Sequence, residues 1–380
     1  MDKNIIYLDN ASTTRPFDEV LETYEKANKE YFGNPSSIHF FGVESSNLFS
    51  KAKAQIQKYL KVEDYDLIYT SGATESINLA IMGYCLKNQN RGKHIITSVY
   101  EHPAVLESIK QLQDFYGFSI TYLSIDNSGH ISLDELQKAI KNDTILVSIM
   151  AVNNEIGSIN NIKGIKEITS KYSKVCFFSD TTQAIGKIAL DYSCLDMFVV
   201  SGHKIHGLKG TGCLLKRKNI NLLPLNNGGG QQDGIRSGTI DVPGALSLAK
   251  AIRLNYESIS DNFKKVSNFR DKISSFLKEN HDKYEINSSF ENPYIINFST
   301  KHVKSSVVVE ALSNKGIYVS SISACHSKKE KISYVVEELK HDKKLAMNTV
   351  RVSFSSDNNE EEISLFIKEL QTIVGEIRND

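Results

Sequence analysis

Apolar residues in VESSNLFSKAKAQIQKYL, starting at Val43, recur at helical spacing and lead into the short run DLIYT, which reads as a strand. SGATES then opens a second helix, INLAIMGYCL. The alternation continues through strand HIITSV, helix AVLESIKQLQDF, strand SITYLS and helix SLDELQKAI, where Ser132 and Glu135 have capping-box spacing. TILVSIMAV, KVCFF and DMFVV are near-continuous apolar runs of strand length. Such runs fit strands buried on both faces, so the pattern predicts an α/β fold with a mainly parallel sheet covered by helices. Beyond VPGALSLAKAIRL the texture changes. A charged helical stretch over about 253–280 precedes shorter strands and helices, including YIINFS, SVVVEAL, IYVSS and VRVSFS, and EEEISLFIKELQTIVGEI closes the chain as a helix. This second part predicts a smaller α+β domain.

Composition narrows the function classes. The chain has 380 residues, 40% hydrophobic and 24% charged, which fits a globular protein with more than one core. Lys plus Arg and Asp plus Glu both total 45, so no global field recruits nucleic acid or an anionic membrane. The start, MDKNIIYLDNASTT, lacks the apolar run of a signal peptide, and no segment is long enough to span a bilayer. The 5 cysteines are scattered without a CxxC pair, so neither a structural zinc site nor a dithiol couple is expected. Unpaired thiols without a leader predict a reducing, cytoplasmic setting.

Candidate chemistry collects where ligands bind in parallel sheets, just beyond the carboxyl ends of the strands. After DLIYT come Ser71, Gly72, Ala73 and Thr74; after HIITSVY come Glu101 and His102. After TILVSIMAV come Asn153, Asn154 and Glu155; after KVCFFS come Asp180 and Gln183; after DMFVV come Ser201, Gly202, His203 and Lys204. SGATES alone is an ordinary helix cap as readily as a phosphate cup. Asp180 alone is a cap or a partner for a protonated ring nitrogen, and His102 alone is a loop histidine. Lys204, at the end of a buried strand, is hard to explain by packing, and a desolvated lysine can form a Schiff base. Phosphate cup, ring-nitrogen partner and reactive lysine together meet the requirements of pyridoxal 5′-phosphate.

The motifs YLDNASTT, FGNPSS, TSGATES, EHPAV, VNNEIG, SDTTQAIGK, SGHKIHGLKG, GGGQQDGIRSGT, SSISAC and VRVSFS, in this order, resemble those of the cysteine desulfurases. These are NifS/IscS-like, class-V members of the fold-type-I pyridoxal-phosphate enzymes. The resemblance implies the PLP-dependent transferase fold type I. It also implies a large domain over 14–257 with a mainly parallel seven-stranded sheet, and a small α+β domain over 258–380 joined by 1–13. It implies that Lys204 holds the cofactor and moves the substrate Cα proton, that Asp180 pairs with the pyridine nitrogen, and that Gln183 meets the phenolic oxygen. His102 would stack on the ring and, as a catalytic residue, relay protons. Ala73, Thr74, Ser201 and His203 would hold the phosphate, with Thr239 reaching that of a partner subunit in a homodimer. Asn154 would support cofactor and substrate, and Arg351 would clamp the substrate carboxylate with its planar fork.

The resemblance assigns the nucleophile to Cys325. The residues agree: Cys85, Cys176, Cys194 and Cys213 sit in or beside apolar segments, whereas Cys325 is followed by His326, Lys328 and Lys329, which favour a thiolate. The implied reaction takes sulfur from L-cysteine, leaves L-alanine and a persulfide on Cys325, and passes the sulfur to an acceptor. That acceptor would be an iron–sulfur scaffold or a tRNA-thiolation enzyme. No resident metal is implied, only a transient iron–sulfur contact at Cys325. Selenocysteine lyase and another class-V lyase without a thiol relay are alternative activities of this scaffold, and a carrier-binding protein without turnover is a non-enzyme alternative. Four departures stand out: Ile322 in place of the usual glycine, no EP pair in HSKKEKISYVV after Cys325, Gln232 in place of a frequent glutamate, and a chain that stops at Asp380 where relatives often carry a docking tail.

Overall fold

The computed structural model describes residues 5–321 and 332–376. In chain order its strands are β1 (Ile6–Tyr7), β2 (Tyr65–Thr70), β3 (His94–Ser98), β4 (Ser119–Leu123), β5 (Thr144–Ser148) and β6 (Cys176–Ser179). They continue with β7 (Met197–Ser201), β8 (Gly212–Arg217), β9 (Tyr284–Ile286), β10 (Ile295–Thr300), β11 (Ile317–Tyr318) and β12 (Thr349–Ser353). A seven-stranded sheet runs in the order β2-β8-β7-β6-β5-β3-β4. Only β8 is antiparallel to its neighbours β2 and β7; the remaining pairs are parallel. The expected mainly parallel sheet is therefore present.

The apolar runs become interior strands because consecutive side chains leave on opposite faces. Val147, Phe177, Phe198, Val200 and Leu215 pack into one core. Their neighbours Leu146, Phe178, Met197, Val199 and Leu214 pack into the other. Every residue of β3, β5, β6 and β7 is buried, whereas edge strand β4 is largely uncovered. Each fully buried Leu or Phe stabilises the layer by about 1.5–3 kcal/mol. A third core joins Ile6, Leu8 and Ala11 to helices Ile259–Glu279, Ser305–Asn314 and Glu360–Glu376. The three-stranded sheet β12-β10-β9 supplies its other wall.

Several details differ from the sequence pattern. The charged stretch is two helices, Val242–Glu257 and Ile259–Glu279, that meet at Ser258. IYVSS pairs only over Ile317–Tyr318. The capping box is half formed: Ser132 Oγ accepts from Glu135 N at 3.2 Å, but the Glu135 carboxylate accepts instead from the Ser124 hydroxyl at 2.9 Å. Strand β8 carries its apolar core Cys213–Leu215 between a glycine and two cations, and buried Lys216 is tolerated there because Asp66 lies 2.6 Å away.

The glycines of SGATES and TGC shape the mouth of the sheet. Gly72 has φ of +150° and ψ of −177°, a conformation essentially confined to glycine. A Cβ on Gly212 would sit 2.5 Å from the Gly72 Cα, so both positions need the missing side chain. Among the described residues, no helix is long and apolar enough to cross a membrane.

Candidate active site

The carboxyl ends of β2, β3, β5, β6 and β7 surround one cavity of about 690 Å³. Ala73, Thr74, Ser201 and His203 line it on the side of the helix Ala73–Asn88. His102, Asn154, Asp180, Gln183, Lys204 and Arg351 line the rest. The structure thus brings together residues spread over most of the sequence. Thr239 is exposed and is not part of this wall. Cys325 and Ile322 lie outside the described residues.

Backbone carbonyls from the N-terminal segment hold the lysine. Lys204 Nζ donates to Ala11 O at 2.8 Å and Ser12 O at 2.6 Å. Burial pushes its amine down to about 8; Arg351 adds to the depression, and Asp180 and Asp9 oppose it. Asp180 is buried at the end of β6, with Oδ1 accepting from Thr182 N at 2.9 Å. His102 caps the helix Pro103–Tyr116, its Nδ1 accepting from Ala104 N at 3.1 Å, which leaves Nε2 as the other polar atom of the ring. Burial lowers its basicity; Asp180 acts against this and Lys204 with it.

His203 is the most strongly neutralised imidazole of the site. Burial, then Lys204, Lys209 and Lys187, bring it down to about 4. Its Nδ1 lies 3.1 Å from Thr13 Oγ1. Across the cup, Glu75 in the first turn of the helix Ala73–Asn88 bonds Ser71 N at 2.7 Å and Arg236 Nε at 2.8 Å. Arg236 thereby offsets a carboxylate that would repel an anion at this helix N-terminus.

Adjacent asparagines have divided duties. Asn153 is fully buried, and its Oδ1 accepts from Glu155 N at 2.8 Å and Ile156 N at 3.0 Å. Asn154 lines the cavity, and its carbonyl accepts from Arg351 Nη1 at 2.9 Å. Arg351 Nη2 reaches Asp9 Oδ1 at 2.9 Å and Ser12 Oγ at 2.6 Å, and Nε is buried without a partner among the described residues. Glu101, beside His102, is fully buried and pushed up to about 8 by burial, so at neutral pH it is chiefly a protonated carboxyl.

Sequence reasoning gave no role to Asp9, Ala11, Ser12, Thr13 or Arg236. For the first four the signal was the polar cluster DNASTT directly after an apolar strand, but two of the key groups are carbonyls, which no side chain betrays. It also grouped Cys194 with packed thiols. Cys85, Cys176 and Cys213 are buried and their thiols pushed up by burial. Cys194 is only half-buried, on a short 3₁₀ turn where burial and Asp191 raise its pKa. Gln232 spans the free edge of β2: its Oε1 accepts from Tyr69 N at 2.6 Å and its Nε2 donates to Tyr69 O at 2.9 Å.

The chain is 37% identical over 369 residues to a NifS/IcsS protein homolog of Lactobacillus delbrueckii subsp. bulgaricus, covering 96% of this chain and 95% of the relative. It is 36% identical over 380 residues to the cysteine desulfurase IscS of Dictyoglomus turgidum, covering 99% and 96%. A solved NifS-like protein superposes with a TM-score of 0.90 at 35% identity, covering 98% of this chain and 99% of that one. The aminotransferase class-V family model matches residues 6–366. The chain belongs to the class-V aminotransferase family and, within it, to the NifS/IscS-like members.

Proposed function

We propose that this protein is a cysteine desulfurase that uses pyridoxal 5′-phosphate and carries the transferred sulfur on Cys325. The observation that carries the reading is a depressed lysine, Lys204, sharing one cavity with the buried carboxylate Asp180 at the end of the adjacent strand. The donor set fits the cofactor. Lys204 would hold it covalently, Asp180 would keep its ring nitrogen protonated, and His102 would cover the ring face. Ala73, Thr74, Ser201 and His203, at a helix N-terminus, would take the phosphate.

When bound, the cofactor supplies an electron sink for the pair left at the substrate Cα. The chain's own residues do the rest. Arg351 and Asn154 orient the carboxylate of L-cysteine. Burial brings the Lys204 amine down to about 8, so near neutral pH part of it is neutral and can accept the Cα proton and return it. The Cys325 thiolate takes the sulfur: the substrate C–S bond breaks, an S–S bond forms, and the carbon skeleton leaves as L-alanine after protonation. L-cysteine plus enzyme thiol thus balance L-alanine plus enzyme persulfide.

The remaining parts of the reading are coarser. We take 14–257 and 258–380 with 1–13 as the two domains, a division supported by the third core's use of Ile6, Leu8 and Ala11. Exposed Thr239 is read as a phosphate ligand for a partner's site in a homodimer. The sulfur acceptor is an iron–sulfur scaffold or a tRNA-thiolation enzyme, in the cytoplasm. Incubation of the purified protein with L-cysteine and a thiol reductant tests the core of the proposal. Alanine and sulfide should form in equal amounts, and failure to form alanine overturns it.

A further inference from the structure

Lys187 is 7% exposed and does not line the cavity, yet its Nζ donates to Gln183 Oε1 at 2.7 Å. Gln183, which does line the cavity, donates from Nε2 to Ala11 O at 3.0 Å, the carbonyl that also receives Lys204 Nζ at 2.8 Å. The turn that carries both residues makes this possible. Lys187 follows Gln183 by four positions, Ile188 N bonds Ala184 O at 3.1 Å, and Gly186 takes φ of +70°. A Cβ there would come within 3.0 Å of the Asn255 Cβ, so the turn is held tightly.

A carboxamide can sit in either of two flipped orientations and show its neighbours a donor or an acceptor. The Lys187 Nζ donates to Oε1 whether or not it carries its third proton, and the Ala11 carbonyl on the other side can only accept. The Nζ bond to Oε1 fixes the amide oxygen away from the Ala11 carbonyl and leaves the second N–H of Nε2 available to the cavity. We infer that Lys187 is a positioning residue that locks the Gln183 amide with its donor edge toward the cofactor's phenolic oxygen. This rests on the pyridoxal-phosphate reading above. A fixed donor favours the anionic phenol, whereas a flipped amide would place an acceptor against it.

The electrostatic setting agrees with a residue kept for hydrogen bonding and not for ion pairing. Burial brings the Lys187 amine down to about 7, and the cations Lys204 and Arg351 contribute in the same direction. The other titratable groups influenced by it are His203 and His206, both depressed themselves. Glu291, beside the outer apolar pocket that Lys187 borders, bonds His130 at 2.8 Å and Ile159 N at 3.1 Å.

The test is a pH titration of the visible absorption of pyridoxal phosphate bound to the protein, in a double-mutant cycle of Lys187→Met with Gln183→Ala. Lys187→Met should shift the spectral midpoint upward by roughly one unit and lower kcat about tenfold with little change in KM for L-cysteine. Lys187→Arg, which keeps the donor, should restore most of the midpoint. In the Gln183→Ala background, Lys187→Met should add no further shift. An unchanged midpoint in Lys187→Met, or equal shifts with and without Gln183, overturns the inference while a borohydride-fixed cofactor on Lys204 leaves the functional reading standing. If the wild type shows no cofactor band, both fall. Elution volume and thermal unfolding of each variant separate misfolding from mispositioning, and Lys187→Arg supplies the result if Lys187→Met does not fold.

Discussion

Arg351 Nη2 lies 2.9 Å from Asp9 Oδ1, so the guanidinium assigned to a substrate carboxylate already holds one. Arg351 is 7% exposed, and Ser12 and the Asn154 carbonyl complete its fixation. A carboxylate ligand must therefore share Arg351 with Asp9 or displace it. Asp9→Asn should keep the hydrogen-bonding shape, remove the competing charge, and lower the KM for L-cysteine several-fold. It should also destabilise the fold by on the order of 1–3 kcal/mol, since a largely buried guanidinium loses its counter-charge. Steady-state kinetics and urea unfolding on the same preparation check both. A raised KM would mean that Asp9 aims the guanidinium and does not compete for it.

Lys204 links the site to stability. Its folded pKa, about 8, lies below its ordinary value of 10.5, so the folded state disfavours the protonated amine. Below pH 8 both states carry the proton and the desolvation cost is present in full. Between about 8 and 10.5 the unfolded chain binds more protons, so stability rises with pH across that window, by up to roughly 3 kcal/mol. Urea unfolding of cofactor-free protein from pH 7.5 to 10.5 should show this rise. Lys204→Met should reduce it, leaving the part contributed by Lys187, while raising stability at pH 7.5, and an unaltered slope in Lys204→Met would assign the effect to another group.

Gln232 caps the edge of β2 with one acceptor and one donor, both on Tyr69. Glutamate at this position can accept from Tyr69 N but cannot donate to Tyr69 O. Gln232→Glu should therefore lose about 1–2 kcal/mol through one lost bond and a carboxylate facing a carbonyl. The loss should shrink as the carboxyl is protonated near pH 4–5. Thermal denaturation at pH 5 and pH 8 reads the difference.

The large sheet was legible because TILVS, CFFS and MFVVS are apolar at successive positions, and only burial on both faces explains that. The rim residues were legible for the same reason: once the strand ends are known, Asp180 and Lys204 fall on one rim of the sheet, and the strand order then sets them on adjacent strands. GCLLKR was harder, because its lysine looks exposed until Asp66 is seen beside it. The grip of Ala11 O and Ser12 O on Lys204 joins residues more than 190 positions apart through carbonyls, which leave no trace in residue type. Lys187 was likewise hidden, since a lysine after a glycine reads as a turn cation until its partner Gln183 is seen.

Exposed Thr239 is expected to serve the partner's cavity and not its own. Dimers assembled from Lys204→Ala and Thr239→Ala subunits would then hold one site with both lesions and one with neither. Hybrid preparations should recover activity approaching half that of wild type per hybrid dimer, while each parent stays low. Hybrids no more active than their parents would remove Thr239 from any role across the interface.

Cys325 separates a desulfurase from other chemistry on this scaffold. In the proposed reading cofactor binding rests on Lys204 and Asp180, and carboxylate binding on Arg351, so sulfur capture should be separable from both by one substitution. Cys325→Ser keeps the volume but replaces a soft thiolate with a hydroxyl that stays protonated near neutral pH. The variant should still bind L-cysteine and perturb the cofactor absorption, yet form alanine at a rate reduced by about 10²-fold or more. In the wild type, the extra sulfur should map to the peptide containing Cys325. Cys85, Cys176 and Cys213 should remain unmodified because burial keeps them as thiols. Cys194 is the informative control: it is the most accessible of the described cysteines, but burial and Asp191 hold its thiol protonated, so reactivity governed by ionisation predicts no persulfide there. Raising the pH should first speed the reaction as the Cys325 thiol and the Lys204 amine lose their protons, then slow it once proton loss from the bound cofactor limits the rate, giving a bell-shaped profile. Alanine formation by Cys325→Ser at the wild-type rate would show that the thiol is not the nucleophile, and sulfur found on Cys194 would show that access and not ionisation selects it.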